Sequence, residues 1–373
     1  MKIFKFGGAS VKDAEGVKNV VNVLQSQGYK NTLVVISAMG KMTNAFENII
    51  NAYYNKEETL SKNIQFVRDF HYNILNQLFK SNDEIFTEVE LLLGKMAGFL
   101  AKNKSKNYNY IYDQIIGFGE LLSTKIVSHY LTQQNIENTW LDVRNFIKTD
   151  SYYRDANVNW EKTKKSIEKI DKNKLKITQG FLGSDKLGKT TSLGREGSDY
   201  TAAIFAYCLN ASSVTIWKDV DGVLNADPRS FKNTKLLTQI SYDEAIEMAF
   251  YGASVIHPKT LKPLENKNIP LHVRSFLNLN TEGTKVYKGT DIIPEIPCYI
   301  LKKEQILVAI SALDFSFMVE DNISDIFKVL SNHKLKVNLI QNSALSFSVC
   351  VEDKYHLIDE FLEKIKTKYK VSV

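Results

Sequence analysis

From Ile3 to Arg274, short apolar runs alternate with segments whose apolar residues recur every three or four positions. This alternation constrains the fold more than any other feature of the sequence. The runs read as strands lie at residues 3–6, 33–36, 138–142, 175–179, 214–217 and 271–274. Val17, Val20, Val21 and Leu24 mark one helix, Leu60 to Leu78 a second, and Ile85 to Phe99 a third. Further helices are expected at 111–134, 158–170, 198–209, 242–251 and 258–265. Strands that alternate with helices in this way predict an α/β fold, a mainly parallel sheet sandwiched by helices. His71, inside the second helix, reads as a packing residue rather than a ligand. Ligands of such sheets sit beyond the carboxyl ends of the strands. Four polar or glycine-rich runs fall there, at 7–10, 37–44, 180–199 and 218–229, and one cleft lined by all four is the simplest arrangement.

The first of these runs has the chemistry of an anion site. The strand ending at Phe6 meets Gly7-Gly8, then Ser10, and the pattern turns helical from Val11. Glycines remove the Cβ that blocks approach to the backbone, and a helix start offers unpaired N–H groups. Lys5 adds a point charge. Taken alone, a Gly-Gly pair after a strand is more often a plain turn than an anion site. Gly117 and Gly119 interrupt a helix just before Glu120, so the backbone is expected to come close to something there. Residues 180–197 are too long and mixed for a simple hairpin turn, Ser198 and Asp199 suit a helix start, and Asn44 suits a cap.

With 373 residues, two domains are the natural expectation. Polar residues 280–297, with Gly283, Gly289, Pro294 and Pro297, read as the boundary between a first domain at 1–280 and a second at 298–373. The second shows β-α-β-β-α order with a final edge strand at 370–373, a small ferredoxin-like α+β unit without a catalytic constellation. No segment approaches the length of a membrane span, and the strand at the amino terminus leaves no room for a leader. Cys208, Cys298 and Cys350 lie far apart in apolar surroundings without metal-site spacing, and read as buried packing residues of a cytoplasmic protein. The formal charge of +6 is spread over helices beside acidic residues, which argues against a nucleic-acid surface.

Five motifs then become specific together: KFGGASV, the GFGE run ending in Glu120, TTSLGREGSDYTAA, WKDVDGVLNADPR and FYGASVIHPKT. In this order they resemble the aspartate kinases of the amino-acid kinase family, and the tail resembles the ACT domains that bind amino-acid effectors there. The resemblance implies transfer of the γ-phosphoryl group of ATP, with Mg²⁺, to the β-carboxylate of L-aspartate. The product is 4-phospho-L-aspartate, at the entry to lysine, threonine and methionine biosynthesis. A carboxylate with a pKa of about 4 needs no general base. It needs positioning, and positive charge to offset two anions forced together.

The resemblance implies that Lys5 and Asp199 are catalytic, Asp199 orienting Lys5 or a Mg²⁺-bound water, with helix capping as its alternative role. It places Arg195 on the α-carboxylate, Glu120 on the ammonium, and Thr43 and Ser198 on the remaining carboxylate oxygens. Lys5, Gly7, Gly8, Ser10, Lys218, Asp219, Leu224, Asp227, Arg229 and Ser254 are the implied ATP contacts, Asp219 toward ribose or adenine and Arg229 toward phosphate. Where many relatives have Thr, Tyr and Lys, this chain has Lys218, Leu224 and Ser254, so a phosphate-facing charge is expected to have moved to Lys218, unless Lys218 points to solvent.

The tail departs as well. Glu320-Asp321-Asn322 stand where relatives open the first ACT helix with glycine, and one repeat is present instead of two. Weak or no inhibition by lysine or threonine is expected, unless Asn338, Gln341 and Asn342 rebuild an effector site. Apolar strands at 306–310 and 347–351 need cover, which predicts a homodimer through the tail. Two other functions fit part of the pattern: a kinase of N-acetylglutamate, glutamate or a nucleoside monophosphate, and an inactive ACT-bearing regulatory subunit. The helical insertion between Thr43 and Glu120 argues against the first, and the joint presence of Lys5, Glu120, Arg195 and Asp199 against the second.

Overall fold

A computed structural model describes residues 1–373 except 172, 254, 255 and 315. The chain forms two compact units, Met1–Tyr299 and Ile300–Val373. The first runs β1 (Lys2–Phe6), α1 (Ala14–Gln27), β2 (Thr32–Ile36), α2 (Met42–Asn55), α3 (Leu60–Leu78), α4 (Glu84–Lys102), α5 (Tyr108–Ile116), α6 (Phe118–Gln133), β3 (Asn138–Leu141), α7 (Trp160–Ile167) and β4 (Leu175–Gln179). It continues with β5 (Leu182–Ser184), β6 (Thr190–Ser192), α8 (Gly197–Leu209), β7 (Ser213–Lys218), β8 (Val223–Leu224), β9 (Leu236–Leu237), β10 (Gln239–Ser241), α9 (Tyr242–Tyr251), α10 (Pro258–Glu265), β11 (Leu271–Ser275) and β12 (Thr284–Tyr287).

Eight strands make one sheet in the order β10-β12-β11-β7-β1-β2-β4-β3, parallel except between β11 and β12. All of β2 and β4 and most of β1 are buried, as strands covered on both faces must be. The α1 helix starts where Asp13 accepts from the Gly16 N–H at 2.8 Å, and it buries Val17, Val20, Val21 and Leu24. His71 is fully buried on α3 with Nδ1 2.7 Å from the Val67 carbonyl, and burial lowers its pKa to about 4. Its ring packs edge-on against Phe70, with centroids 5.3 Å apart.

The structure corrects four local expectations. Residues 182–192 do form an antiparallel hairpin, β5 with β6, inside the long glycine-rich segment. The polar stretch after residue 280 contributes β12 to the main sheet, because Val286 and Thr284 are fully buried there despite their polar neighbours. Asn44 lies within the first turn of α2 and caps nothing; the cap position is Lys41. Two of the three cysteines, Cys298 and Cys350, are only half buried, and all three are free thiols.

The second unit runs β13 (Ile306–Ala312), α11 (Glu320–Asn332), β14 (Lys336–Asn342), β15 (Ser346–Glu352), α12 (Ile358–Lys366) and β16 (Tyr369–Ser372). Its antiparallel order β14-β15-β13-β16 is ferredoxin-like. Val308, Ile310, Phe347, Val349 and Val351 pack under Ile326, Leu330, Phe361 and Ile365 of the two helices. Among the described residues no helix is long and apolar enough to cross a membrane.

Candidate active site

Strands β7, β1, β2 and β4 are parallel neighbours, so the segments that leave their carboxyl ends gather along one edge. Three hydrogen bonds link these strand ends directly. The Gly40 N–H donates to the Gly8 carbonyl at 3.0 Å, the Gly180 N–H to the Ile36 carbonyl at 3.0 Å, and Ser10 Oγ to the Trp217 carbonyl at 3.4 Å. Trp217 is fixed in turn, stacked on Phe6 at 6.1 Å with the Arg274 guanidinium 5.0 Å from its ring.

Gly8 has no room for a side chain: a Cβ there would lie 2.7 Å from the Gly40 carbonyl oxygen and 2.9 Å from that of Ala38. At Gly7 a Cβ would meet only Lys5 Nζ, at 3.4 Å. The two glycines therefore differ in purpose, Gly8 admitting the neighbouring turn and Gly7 keeping the lysine tip open. Gly8→Ala should lower kcat/KM at least tenfold and cost about 1–3 kcal/mol, because backbone carbonyls must move. Gly7→Ala should fold normally. Melting curves and kinetics of both variants check the contrast, and equal behaviour of the two would contradict it.

Lys5 Nζ lies 2.6 Å from Asp199 Oδ1, with the lysine 7% exposed and the aspartate fully buried. Neither oxygen of Asp199 takes a directed hydrogen bond from the described residues, so the contact is an ion pair with lone pairs to spare. Asp199 sits in the first turn of α8 but does not cap it; Glu196 holds the cap position, in a left-handed conformation without a side-chain bond. The capping alternative for Asp199 is thereby excluded.

Glu120, in the first turn of α6, is 3% exposed. Its Oε1 accepts from the Ala38 N–H at 3.3 Å, and Oε2 has no partner among the described residues. Burial pushes this carboxyl up to about 8, against the opposing pull of the backbone N–H groups of Glu120 and Ala38. Gly119 packs on Ala38 and Phe46, where a Cβ would come within 2.9 Å of the Ala38 Cβ. The glycine thus serves the approach of the helix to the turn, and the space beside it is filled by protein.

Burial favours the protonated Glu120 carboxyl in the folded protein up to about pH 8, well above its ordinary value of 4.5. In that window the unfolded state binds fewer protons, so stability falls as pH rises. A cation arriving at Oε2 favours the carboxylate, and at neutral pH should expel about one proton per site. Calorimetry of aspartate binding in two buffers of different ionisation enthalpy measures this release. Glu120→Gln should abolish it and flatten the pH dependence of melting between about pH 5 and pH 8.

Arg195 follows Gly194, is exposed, and its guanidinium has no partner among the described residues. It stands near His257, whose pKa burial lowers, with the cations of Lys259 and Arg195 adding to that effect against Glu196. Ser198 is buried with its Cα, Cβ and Oγ against Gly180, where a Cβ would stand only 2.4 Å from Oγ. Thr43 is half buried in the first turn of α2. The structure thus gathers Lys5, Gly7, Gly8, Ser10, Ser198, Asp199 and Glu120 along one strand edge, with Lys218 half-buried at the end of β7.

The remaining ATP-loop residues are not drawn into that group. Asp219 is exposed, and Leu224 belongs to the two-stranded β8–β9 ribbon. The Arg229 guanidinium is exposed and held by Asp227, Nε to Oδ1 at 3.0 Å and Nη2 to Oδ2 at 2.7 Å. Ser254 lies outside the described residues.

The sequence reading missed the buried polar chain behind Glu120. Gln179 is fully buried, donates to Thr124 Oγ1 at 2.7 Å and accepts from the Val143 N–H at 2.9 Å. Thr124 Oγ1 donates to the Glu120 carbonyl at 2.8 Å. A glutamine closing the strand β4, whose five residues are all buried, was the available signal.

The model described as the amino acid kinase family matches residues 1–275. Lysine-sensitive aspartokinase 3 of Escherichia coli K12 is 31% identical over 355 residues, covering 94% of this chain and 78% of that protein. The bifunctional aspartokinase/homoserine dehydrogenase of Buchnera aphidicola is 31% identical over 404 residues, covering 99% of this chain; the chain spans 47% of that protein. In structure, E. coli aspartokinase III in complex with aspartate and ADP aligns with a TM-score of 0.80 at 29% identity, over all of this chain and 85% of that one. The same enzyme in complex with lysine and aspartate gives a TM-score of 0.82 over 84% of its chain.

Proposed function

The chain belongs to the amino acid kinase family, and from that premise we propose that it is an aspartate kinase. The observation that carries this is Glu120, a buried carboxyl whose Oε2 has no partner among the described residues and which a bound cation would convert to the carboxylate, set beside the glycine turn. Such a group calls for a cation, which the α-ammonium of aspartate supplies and which N-acetylglutamate and nucleoside monophosphates lack. Arg195 binds the α-carboxylate, and Thr43 and Ser198 orient the remaining carboxylate oxygens. An oxygen of the ionised β-carboxylate attacks the γ-phosphorus, the bond to the bridging oxygen breaks, and ADP departs, leaving 4-phospho-L-aspartate.

Lys5 offsets the charge of the two anions, and Asp199 holds its ammonium in place. The nucleotide enters as its Mg²⁺ complex, and the free lone pairs of Asp199 suit a water on that ion. Ser10, Lys218, Asp219, Leu224, Asp227 and Arg229 are assigned to ATP, Lys218 supplying the charge that Ser254 does not. Arg229 must leave Asp227 to reach phosphate. A coupled ADP-release assay with aspartate, glutamate and N-acetylglutamate tests the reading: turnover is expected with aspartate, and preference for N-acetylglutamate would contradict it.

The unit Met1–Tyr299, which includes β12, is assigned to the kinase and Ile300–Val373 to an ACT-like unit. On the outer face of the small sheet Leu307 pairs with Cys350 and Cys350 with Leu339, and both leucines are 56% exposed. This row suits a homodimer through the tail. Light scattering should give a dimer at micromolar concentration, and a monomer would count against it. Glu320 and Asp321 occupy the first turn of α11, and Asn338 is already held by Lys302 and Gln305. The tail is therefore read as dimerising rather than as a lysine or threonine sensor. ATP as substrate and three free thiols fit a cytoplasmic enzyme.

A further inference from the structure

Asp113 on α5 is fully buried and plays no part in the chemistry above. Its carboxylate accepts three hydrogen bonds: the Arg154 N–H at 3.0 Å, the Ser192 N–H at 2.9 Å and Ser192 Oγ at 2.6 Å. A backbone edge that would otherwise pair with a strand is here paired by a side chain. The next residue does the same one step along β6, Gln114 donating to the Thr190 carbonyl at 2.8 Å and accepting from its N–H at 3.2 Å. The Ala156 N–H closes the arrangement on the Ser192 carbonyl at 2.9 Å.

Beyond Ser192 the chain turns at Gly194, which has φ +79° and no room for a Cβ, since one would stand 2.5 Å from Asp155 Oδ1. Arg195 is the next residue. Lys259 pairs with Asp155 from the other side. The helix that carries Asp113 passes through Gly117 directly into the helix that carries Glu120. The same pair of consecutive helices therefore carries Glu120 by covalent continuity and holds the strand before the Arg195 turn through the Asp113 carboxylate.

We propose that Asp113 is a positioning residue for substrate recognition, setting the spacing between Arg195 and Glu120 and so between the α-carboxylate and α-ammonium subsites. This rests on the reading of those two residues given above. An unheld turn would let Arg195 wander, so loss should weaken amino-acid binding while leaving the nucleotide side intact.

Steady-state kinetics of Asp113→Asn, Ser192→Ala and Arg195→Ala, each with both substrates, test it. Asn has only one oxygen for three donors, so Asp113→Asn should raise the aspartate KM about tenfold or more, with the ATP KM within about twofold. Ser192→Ala, which keeps both backbone bonds, should move the same way by about threefold. Should Asp113→Asn fail to fold, Ser192→Ala decides by the same split. Adding Asp113→Asn to Arg195→Ala should change the aspartate KM little further, since both act on one contact. Equal rises in both KM values, or a lower melting temperature with unchanged aspartate KM, would overturn the proposal. If Arg195→Ala itself leaves the aspartate KM unchanged, the assignment of Arg195 fails instead.

Discussion

Lys5→Ala is expected to lower kcat by about 10²- to 10³-fold, the usual effect of deleting one donor to transition-state charge. The residue is also half of an ion pair in which Asp199 is fully buried. Removing the cation strands the carboxylate, which costs about 3–5 kcal/mol in comparable sites. The variant should therefore melt early as well as turn over slowly, and the two effects can be separated. Lys5→Ala combined with Asp199→Asn should regain most of the stability and none of the rate. A kcat within about threefold of wild type in Lys5→Ala would remove the lysine from the mechanism.

Arg195→Ala should raise the aspartate KM at least 100-fold while leaving the ATP KM nearly unchanged, because a bidentate contact to a non-reacting group is lost. Arg195 is exposed and unpartnered among the described residues, so the substitution should shift stability by less than about 0.5 kcal/mol. Arg195→Lys keeps the charge but loses the planar fork, and should recover only part of the binding. An unchanged aspartate KM in Arg195→Ala would end the assignment.

Much of this architecture was legible because burial on both faces leaves an unmistakable pattern. The β2 strand is a nearly continuous apolar run, β1, β4 and β7 place Ile3, Phe4, Phe6, Leu175, Ile177, Val214, Ile216 and Trp217 in the core, and α9 and α10 carry their own start signals in Ser241 and Pro258. The β12 strand was not legible, since its four residues sit among glycine, proline and charge and gain their place only by pairing with β10 and β11. The β5–β6 hairpin was hidden for a similar reason: its partner on one edge is not a strand but the side chains of Asp113 and Gln114.

The site divides along the same line. Lys5, Glu120 and Asp199 could be named because each sits in a strongly patterned segment, but the contact between Lys5 and Asp199 joins residues far apart in sequence. Glycines were visible as glycines, while their neighbours were not. Gly8 faces the carbonyls of Ala38 and Gly40, Gly119 the Ala38 methyl, and Gly180 the Ser198 side chain. Arg229 shows the reverse case, a residue assigned to phosphate whose guanidinium rests on Asp227 two positions away.

The central claim is that a phosphoryl group moves from ATP to the side-chain carboxylate of an amino acid whose ammonium rests on Glu120. Trapping with hydroxylamine tests it most directly, because an acyl phosphate is attacked at its carbonyl to give a hydroxamate and free phosphate. With L-aspartate and Mg-ATP, β-aspartyl hydroxamate should form in step with ADP, and N-acetyl-L-aspartate, which lacks the ammonium, should give neither. ADP released without hydroxamate, or equal turnover of the acetylated substrate, would contradict the account.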